Sequence, residues 1–106
     1  MTTNYILTLT STDKKSISNK ICKKLLEEKL CACINIIPNI KSHFYWGNEI
    51  NRSNEILLII KSKKSSYKKI EETIKKLHNY VLPEIISINI ENGFKAYLKW
   101  IENAKN

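Results

Sequence analysis

The sequence lacks any long apolar segment. None of its 106 residues falls in a run of about 18 consecutive apolar residues, the length that a membrane-spanning helix needs. The first residues, MTTNYILTLTSTDKK, have no basic region ahead of their apolar stretch, so a signal peptide is not indicated. We therefore expect no membrane partner and a cytoplasmic location.

Cysteine, glycine and proline are scarce. The three cysteines are an odd number and, without a signal peptide, they indicate free thiols rather than a disulfide framework. With two glycines the chain offers no Gly-rich phosphate loop. No Ser-His-Asp or Cys-His order and no clustered carboxylate pair supports catalysis. We therefore predict that the protein is not an enzyme.

Arginine is nearly absent although the chain is basic. A formal net charge of +8 invites a nucleic-acid function. Of the 18 basic residues, however, only Arg52 is an arginine, the side chain whose planar fork suits phosphates and base edges. A compositional drift towards Lys, Asn and Ile explains the charge as well. We interpret the lysines as a solvated surface.

The apolar pattern predicts elements in the order β-α-β-β-α-β-α. Strands are expected at 5–10, 31–37, 55–63 and 84–90, and the second is interrupted by Pro38-Asn39 before a further extended segment at 41–46. Helical spacing predicts one helix from an Asp13 cap to about Lys29, a second after Ser65 or Ser66, and a short last one from Phe94. This order is typical of an α+β ferredoxin-like βαββαβ sandwich with an extra C-terminal helix, one domain over residues 1–106.

Only one face of such a sheet has helices of its own. With uninterrupted pleating, the helix-covered face would hold Tyr5, Leu7, Leu9, Ala32, Ile34, Ile36, Ile56, Leu58, Ile60, Ile86, Ile88 and Ile90. The other face would hold Ile6, Thr8, Thr10, Cys31, Cys33, Asn35, Ile37, Leu57, Ile59, Lys61, Ile85, Ser87 and Asn89. Apolar surface left in water costs about 25 cal/mol per Å² and invites aggregation. We therefore expect a homo-oligomer that covers the second face.

Four colinear segments, EEKLCACINIIP, SHFYWGNEI, LHNYVLPEII and GFKAYLKWI, resemble segments of the CutA divalent-cation tolerance family. EEKLCACINIIP is similar to the family's Glu-Glu-(Arg/Lys)-Leu-Ala-Ala-Cys-x-Asn-x-x-Pro. SHFYWGNEI, LHNYVLPEII and GFKAYLKWI resemble its Ser-x-Tyr-x-Trp-x-Gly, Leu-His-Pro-Tyr-(Glu/Asp)-x-Pro-Glu-Ile-Ile and Gly-x-x-x-Tyr-Leu-x-Trp segments. The resemblance implies a ferredoxin-like subunit in a homotrimer related in architecture to the PII signalling proteins. It also implies a role in tolerance of copper and other divalent cations.

The chain departs from the family pattern at Cys31, Asn79 and Val81, where the family has alanine, proline and an acidic residue. The last change removes a carboxylate beside His78 and Tyr80. The first adds a thiol.

Candidate metal ligands are Cys33, Cys31, His78 and Glu84. Strand residues i and i+2 lie about 6.5–7 Å apart at Cα, so a Cys31–Cys33 disulfide is not expected. Two thiolates on one face would suit Cu(I), while two small buried apolar residues are the alternative. His78 is either a ligand or a cation placed at a helix end. Glu84, beside Pro83, would serve a ligand or an oligomer contact.

The aromatic residues Trp46, Tyr80, Tyr97 and Trp100 are expected at subunit contacts, where aromatic side chains are enriched. Lys61 is the one charge on the second face, so we predict an anion or a carboxylate of another subunit as its partner.

Two other functions fit the same topology. A sensor of PII type would bind a small molecule in clefts between subunits, and the sequence does not separate this from metal binding. An RNA-recognition module needs aromatic residues on its central strands, and residues 56–60 contain none. We therefore predict metal ions and other copies of the chain as partners, and no nucleic acid.

Overall fold

The computed structural model describes residues 4–104 of the chain. The elements are β1 (Tyr5–Thr12), α1 (Lys15–Glu27), β2 (Cys33–Trp46), β3 (Glu49–Lys63), a 3₁₀ turn (Lys64–Ser66), α2 (Tyr67–Leu77), β4 (Ile86–Asn89) and α3 (Lys95–Asn103). The predicted order of strands and helices is confirmed. Residues 1–3 and 105–106 of the predicted domain lie outside the described residues.

The strands form an antiparallel sheet in the order β2-β3-β1-β4. The core lies between the sheet and the pair α1 and α2, where fully buried aliphatic side chains pack together: Ile21, Leu25, Leu58, Ile60, Ile70 and Ile74. Both helices therefore cover one face of the sheet. The predicted α+β ferredoxin-like sandwich with an added C-terminal helix is confirmed.

The first two helices begin without a hydrogen bond from a side-chain cap. The N-cap of α1 is Lys14, without a side-chain cap bond, so the predicted Asp13 cap is wrong. The carboxylate of Asp13 instead accepts a hydrogen bond from Nδ2 of Asn79. Ser66 does occupy the N-cap position of α2, although its side chain makes no cap bond.

The strand β2 continues through the predicted interruption at Pro38-Asn39. Its pairing register with β3 shifts between Ile37 and Ile40, and Asn39 adopts a φ of 59°. Proline cannot donate to the ladder, and a bulge accommodates it. Beyond the bulge, β2 and β3 pair with each other alone, because the pairing of β1 with β3 ends at Ile56. Residues 40–55 thus form a two-stranded extension, here called the ribbon.

The face of β1 that is buried beneath the helices is not the predicted one. Thr8 pairs with Ile60 and Thr10 with Leu58, and all of these side chains are fully buried beneath the helices. The alternate residues Leu7 and Leu9 therefore lie on the opposite face.

The prediction therefore placed the residues of β1 and β4 on the wrong faces of the sheet. Ile6, Thr8, Thr10, Ser87 and Asn89 lie on the helix side, while Tyr5, Leu7, Leu9, Ile86 and Ile88 lie opposite. Ile85 also packs against the core rather than on the second face. Both faces of these strands carry apolar or β-branched residues, so composition did not distinguish them.

The face without α1 and α2 is called the open face below. Its strand residues include Tyr5, Leu7, Leu9, Cys33, Asn35, Ile37, Leu57, Ile59, Lys61, Ile86 and Ile88. Ile86 and Ile88 are each 50% exposed, and Ile37 is 41% exposed. The exchange thus makes the open face more apolar than predicted, since leucines and isoleucines replace threonine, serine and asparagine there.

The buried threonines generate a prediction about stability. The hydroxyls of Thr8 and Thr10 have no hydrogen-bond partner among the described residues. Burying an unpaired hydroxyl costs on the order of 1 kcal/mol or more, so Thr10→Val should raise the free energy of unfolding by about 1 kcal/mol. Guanidinium unfolding at fixed protein concentration measures this.

The control for that prediction is Thr10→Ser, which keeps the hydroxyl and removes the methyl group. It should lower the free energy of unfolding by about 1 kcal/mol. A Thr10→Val protein less stable than the unchanged chain would contradict the assignment of an unpaired hydroxyl.

Candidate functional site

Cys31 lies in the core rather than on the open face. It is 6% exposed and packs with Ile21, Leu25 and Leu58. Burial raises the pKa of its thiol to about 12, with smaller contributions from the neighbouring thiols of Cys22 and Cys33. The thiolate is the form that binds metal, and burial disfavours it. The prediction that Cys31 and Cys33 share one face is wrong, because β2 begins only at Cys33 and the alternation does not extend back to Cys31.

Cys33 lies on the open face as predicted. It is half-buried at the start of β2 and pairs across the ladder with Lys61. The Nζ atom of Lys61 is 3.4 Å from the hydroxyl of Tyr97 and 5.6 Å from the centre of its ring. The cation–π contact gives the ammonium an aromatic partner inside the subunit. The predicted carboxylate or anion partner of Lys61 stays a prediction.

His78 caps the C-terminal end of α2 and both of its ring nitrogens are engaged. Its Nε2 atom lies 2.8 Å from the carbonyl oxygen of Ser11, and its Nδ1 atom lies 3.0 Å from the backbone nitrogen of Tyr80. A carbonyl only accepts and a backbone N–H only donates, so the neutral ring with its proton on Nε2 satisfies both bonds. A metal ion at His78 would have to displace one of these partners.

Tyr80 makes a short hydrogen bond to a buried carboxylate. Its hydroxyl donates to Oε2 of Glu55 at 2.6 Å, and Glu55 is 7% exposed. Desolvation first, and then the bond to Glu55 and its charge, raise the pKa of Tyr80 well above its usual range. The rings of Tyr80 and His78 are tilted at a centroid distance of 4.8 Å. The sequence interpretation missed Glu55, although a lone carboxylate at the start of the apolar run ILLII is a signal for a buried acceptor.

Asn79 joins the segment after α2 to the end of β1. Its Oδ1 atom accepts a hydrogen bond from the hydroxyl of Thr12 at 2.7 Å, and its Nδ2 atom donates to the carboxylate of Asp13 at 2.8 Å. The family has proline at this position, which offers neither bond. The departure at Asn79 therefore adds side-chain contacts that fix the connection between α2 and β4.

The other candidate residues lie at the surface of the subunit. Glu84 is exposed in the connection between α2 and β4. Trp46 is 59% exposed at the tip of the ribbon. Tyr97 and Trp100 of α3 are 39% and 49% exposed, with their ring centroids 5.5 Å apart. The prediction that these aromatic residues lie at subunit contacts stays a prediction.

The predicted metal ligands do not meet in one subunit. Cys33 is on the open face, Cys31 is in the core, and His78 is bonded to the end of β1. Within residues 4–104 there is no group of three or more His, Cys, Asp or Glu residues that could hold a metal ion.

Residues 6–104 match the family model described as CutA1 divalent ion tolerance protein. The chain belongs to the CutA1 divalent ion tolerance family. The divalent-cation tolerance protein CutA of Thermus thermophilus is 36% identical over 93 residues, which are 88% of this chain and 90% of that protein. The protein of the same name from Archaeoglobus fulgidus is 40% identical over 85 residues, 80% of this chain and 82% of that protein. The resemblance seen in the sequence is confirmed.

Solved CutA structures have the same fold as this chain. The T. thermophilus structure superposes with a TM-score of 0.91 at 33% identity, covering 94% of this chain and 97% of that one. The A. fulgidus structure, titled a periplasmic divalent cation tolerance protein, also gives 0.91 at 33% identity and covers 96% and 99% of the two chains. None of these CutA names is that of an enzyme. Among the described residues, no helix of this CutA chain is long and apolar enough to span a membrane.

The bond between Tyr80 and Glu55 generates the second prediction. Tyr80→Phe removes the donor from a buried carboxylate, so the free energy of unfolding should fall by about 2 kcal/mol, in the range of bonds to charged groups. The matched control is Tyr67→Phe, which removes a 2.9 Å bond to Glu71 one turn along α2. Pairs of this kind on one helix contribute about 0.5 kcal/mol or less. If Tyr80→Phe and Tyr67→Phe lowered the free energy of unfolding by the same amount, the larger contribution assigned to the bond between Tyr80 and Glu55 would be contradicted.

The raised pKa of Tyr80 predicts how stability depends on alkaline pH. Folded Tyr80 keeps its proton where an unfolded tyrosine, with a pKa of about 10, releases it. Above about pH 10 the unfolded chain binds fewer protons, so the free energy of unfolding should fall as the pH rises. Tyr80→Phe should make this fall less steep above about pH 10, as measured by unfolding at each pH. The same slope in both proteins would contradict the assignment.

Proposed function

We propose that this CutA-family protein acts in metal tolerance as a homotrimer that binds copper or another divalent cation with groups from more than one subunit. Membership of the CutA1 family supports the role in divalent-cation tolerance. The single observation that carries the assembly is the apolar open face. The number of subunits comes from the resemblance to the CutA family.

The open face supports association because its aliphatic side chains remain half-buried or exposed in the single chain. Leu7, Leu9, Leu57 and Ile59 are half-buried at its centre, and Ile88 is 50% exposed at its edge. Monomeric proteins rarely expose a contiguous apolar patch larger than a few hundred Å². Covering this face with other copies of the chain removes apolar surface from water, at a gain of about 25 cal/mol per Å².

Cys33 is the thiol best placed for a shared metal site. It lies on the open face beside the aliphatic residues that the assembly would cover, whereas Cys31 and Cys22 pack in or against the core. A soft ion such as Cu(I) accepts two sulfur ligands, and the second would come from a neighbouring subunit. In this proposal Glu84 and His78 are secondary, because His78 already has a partner on each ring nitrogen.

The residues around Lys61 are proposed as part of the same subunit contact. Tyr97 and Trp100 stand on α3 beside Lys61, and Trp46 stands at the ribbon tip. In this proposal a carboxylate from a neighbouring chain forms an ion pair with Lys61, in addition to the cation–π contact with Tyr97.

One feature of the central strands argues against an RNA-recognition module. On β1 and β3, the central strands, the aromatic side chain of the open face is Tyr5, whose hydroxyl is bonded to Glu102. That arrangement does not offer the stacking surface of an RNA-recognition module. A non-enzymatic role in the cytoplasm stays our expectation.

The oligomer is tested by changing the centre of the open face. Ile59→Lys places a charge where the proposed contact excludes water, so the trimer should dissociate to smaller species. Light scattering coupled to size-exclusion chromatography measures the mass of the unchanged and altered proteins. Val81→Lys is the control, because Val81 is fully exposed away from the sheet strands. A monomer formed by the unchanged chain at micromolar concentration would contradict the proposal.

The metal site is tested by titration with Cu(I), Cu(II) and Zn(II) under reducing conditions. Cys33→Ser should weaken Cu(I) binding about tenfold or more, since a hard hydroxyl replaces a soft sulfur ligand. Cys22→Ser is the matched control and should leave the affinity within about twofold, because Cys22 packs against the core. His78→Gln should also leave it within about twofold. Unchanged Cu(I) affinity in Cys33→Ser would remove Cys33 from the proposal.

A further inference from the structure

The ribbon separates its charged side chains between its two faces. Residues directly opposite each other in the ladder share a face. One face therefore carries the pairs Lys41–Asn54, His43–Arg52 and Tyr45–Ile50. The other face carries Ile40–Glu55, Ser42–Ser53, Phe44–Asn51 and Trp46–Glu49. Both carboxylates of the ribbon are thus on one face, and its basic side chains are on the other.

The basic face places Lys41, His43 and Arg52 next to one another. Arg52 lies directly across the ladder from His43, with Lys41 one pleat further along the same face. Neighbouring groups that carry positive charge repel each other across a ladder. Within residues 4–104, neither Lys41 nor Arg52 forms an ion pair; the pair seen there joins Lys24 and Glu28 on α1. An anion at this face would therefore meet cationic side chains that no carboxylate pairs within the described residues.

Lys41, His43, Arg52 and Asn54 of the basic face line a cleft of about 260 Å³, which Ser53, a residue of the opposite face, also lines. Its lining is therefore cationic or hydrogen-bonding and contains no carboxylate. The volume is slightly below the roughly 300 Å³ at which pockets for drug-sized molecules begin, so the cleft suits a small ligand. Arg52 is the single arginine among 18 basic residues, and its planar fork can hold two oxygens of one oxyanion.

We propose that the cleft of Lys41, His43 and Arg52 binds a small anion with two linked phosphate groups. Arg52 would hold one phosphate through its fork, while Lys41 and the ring of His43 contact the other. Lys41 and His43 are alternate residues of one strand and so lie about 6.5–7 Å apart at Cα, a spacing that two linked phosphate groups can bridge. This site is separate from the metal function, because the open-face thiol Cys33 lies on the far side of the bulge at Pro38-Asn39.

The test measures binding of pyrophosphate to the metal-free full chain by calorimetry at constant ionic strength. Saturable binding is expected, with orthophosphate binding more weakly. Arg52→Gln should weaken pyrophosphate binding about tenfold or more, and Arg52→Lys should weaken it less because the charge is kept. Arg52 is exposed, so these variants should fold, which far-UV circular dichroism checks.

The matched control is Lys20→Gln, which removes one positive charge from the exposed surface of α1. It should change pyrophosphate affinity less than about twofold. An equal loss in Lys20→Gln and Arg52→Gln would show attraction by net charge alone and overturn the proposal. Absence of saturable pyrophosphate binding would also overturn it. So would a single-stranded oligonucleotide that binds through Arg52 and is not displaced by pyrophosphate, because the face would then recognise nucleic acid.

Discussion

The pairing of β1 with β3 and β4 determines which side chains lie on the open face. Opposite Ile60 and Leu58, the residues of β1 are threonines, and the ladder turns both of them beneath the helices. A strand alternates its side chains strictly, so Leu7 and Leu9 must then face outward, together with Ile86 and Ile88 of β4. A shift of one residue would exchange the two sets. The apolar open face is thus a consequence of register rather than of composition.

The element order could be predicted from the sequence because the apolar residues of the helices recur at helical spacing. Ile21 and Leu25 recur at helical spacing and are fully buried, as are Ile70 and Ile74 in α2. The inner face of β1 could not be predicted in the same way. Threonine has a methyl group and a branched β-carbon, so a row of threonines is as compatible with a buried strand face as a row of leucines. Only the cross-strand partners decide between them.

The candidate site was less predictable because its contacts join distant parts of the chain. His78 reaches the carbonyl of Ser11, 67 residues away in sequence, and Tyr80 reaches Glu55, 25 residues away. The family-like segment around His78 and Tyr80 correctly marked this region. It did not reveal that both nitrogens of the imidazole and the phenol already have protein partners. Those bonds join the segment after α2 to β1 and β3, a structural role that a short motif cannot distinguish from metal binding.

The two thiols of Cys31-Ala32-Cys33 have different chemical environments although they are two residues apart. Cys31 precedes the regular strand and fills a core position, where burial raises its pKa to about 12 and disfavours the thiolate. Cys33 begins the ladder and faces outward with Lys61 opposite. Binding of one ion by both sulfur atoms would require Cys31 to leave the core. That movement would lower the stability of the fold, because Cys31 fills a buried apolar position. In the proposed soft-metal site the second sulfur ligand beside Cys33 comes from another chain, so the proposed metal binding depends on the proposed association of the open face.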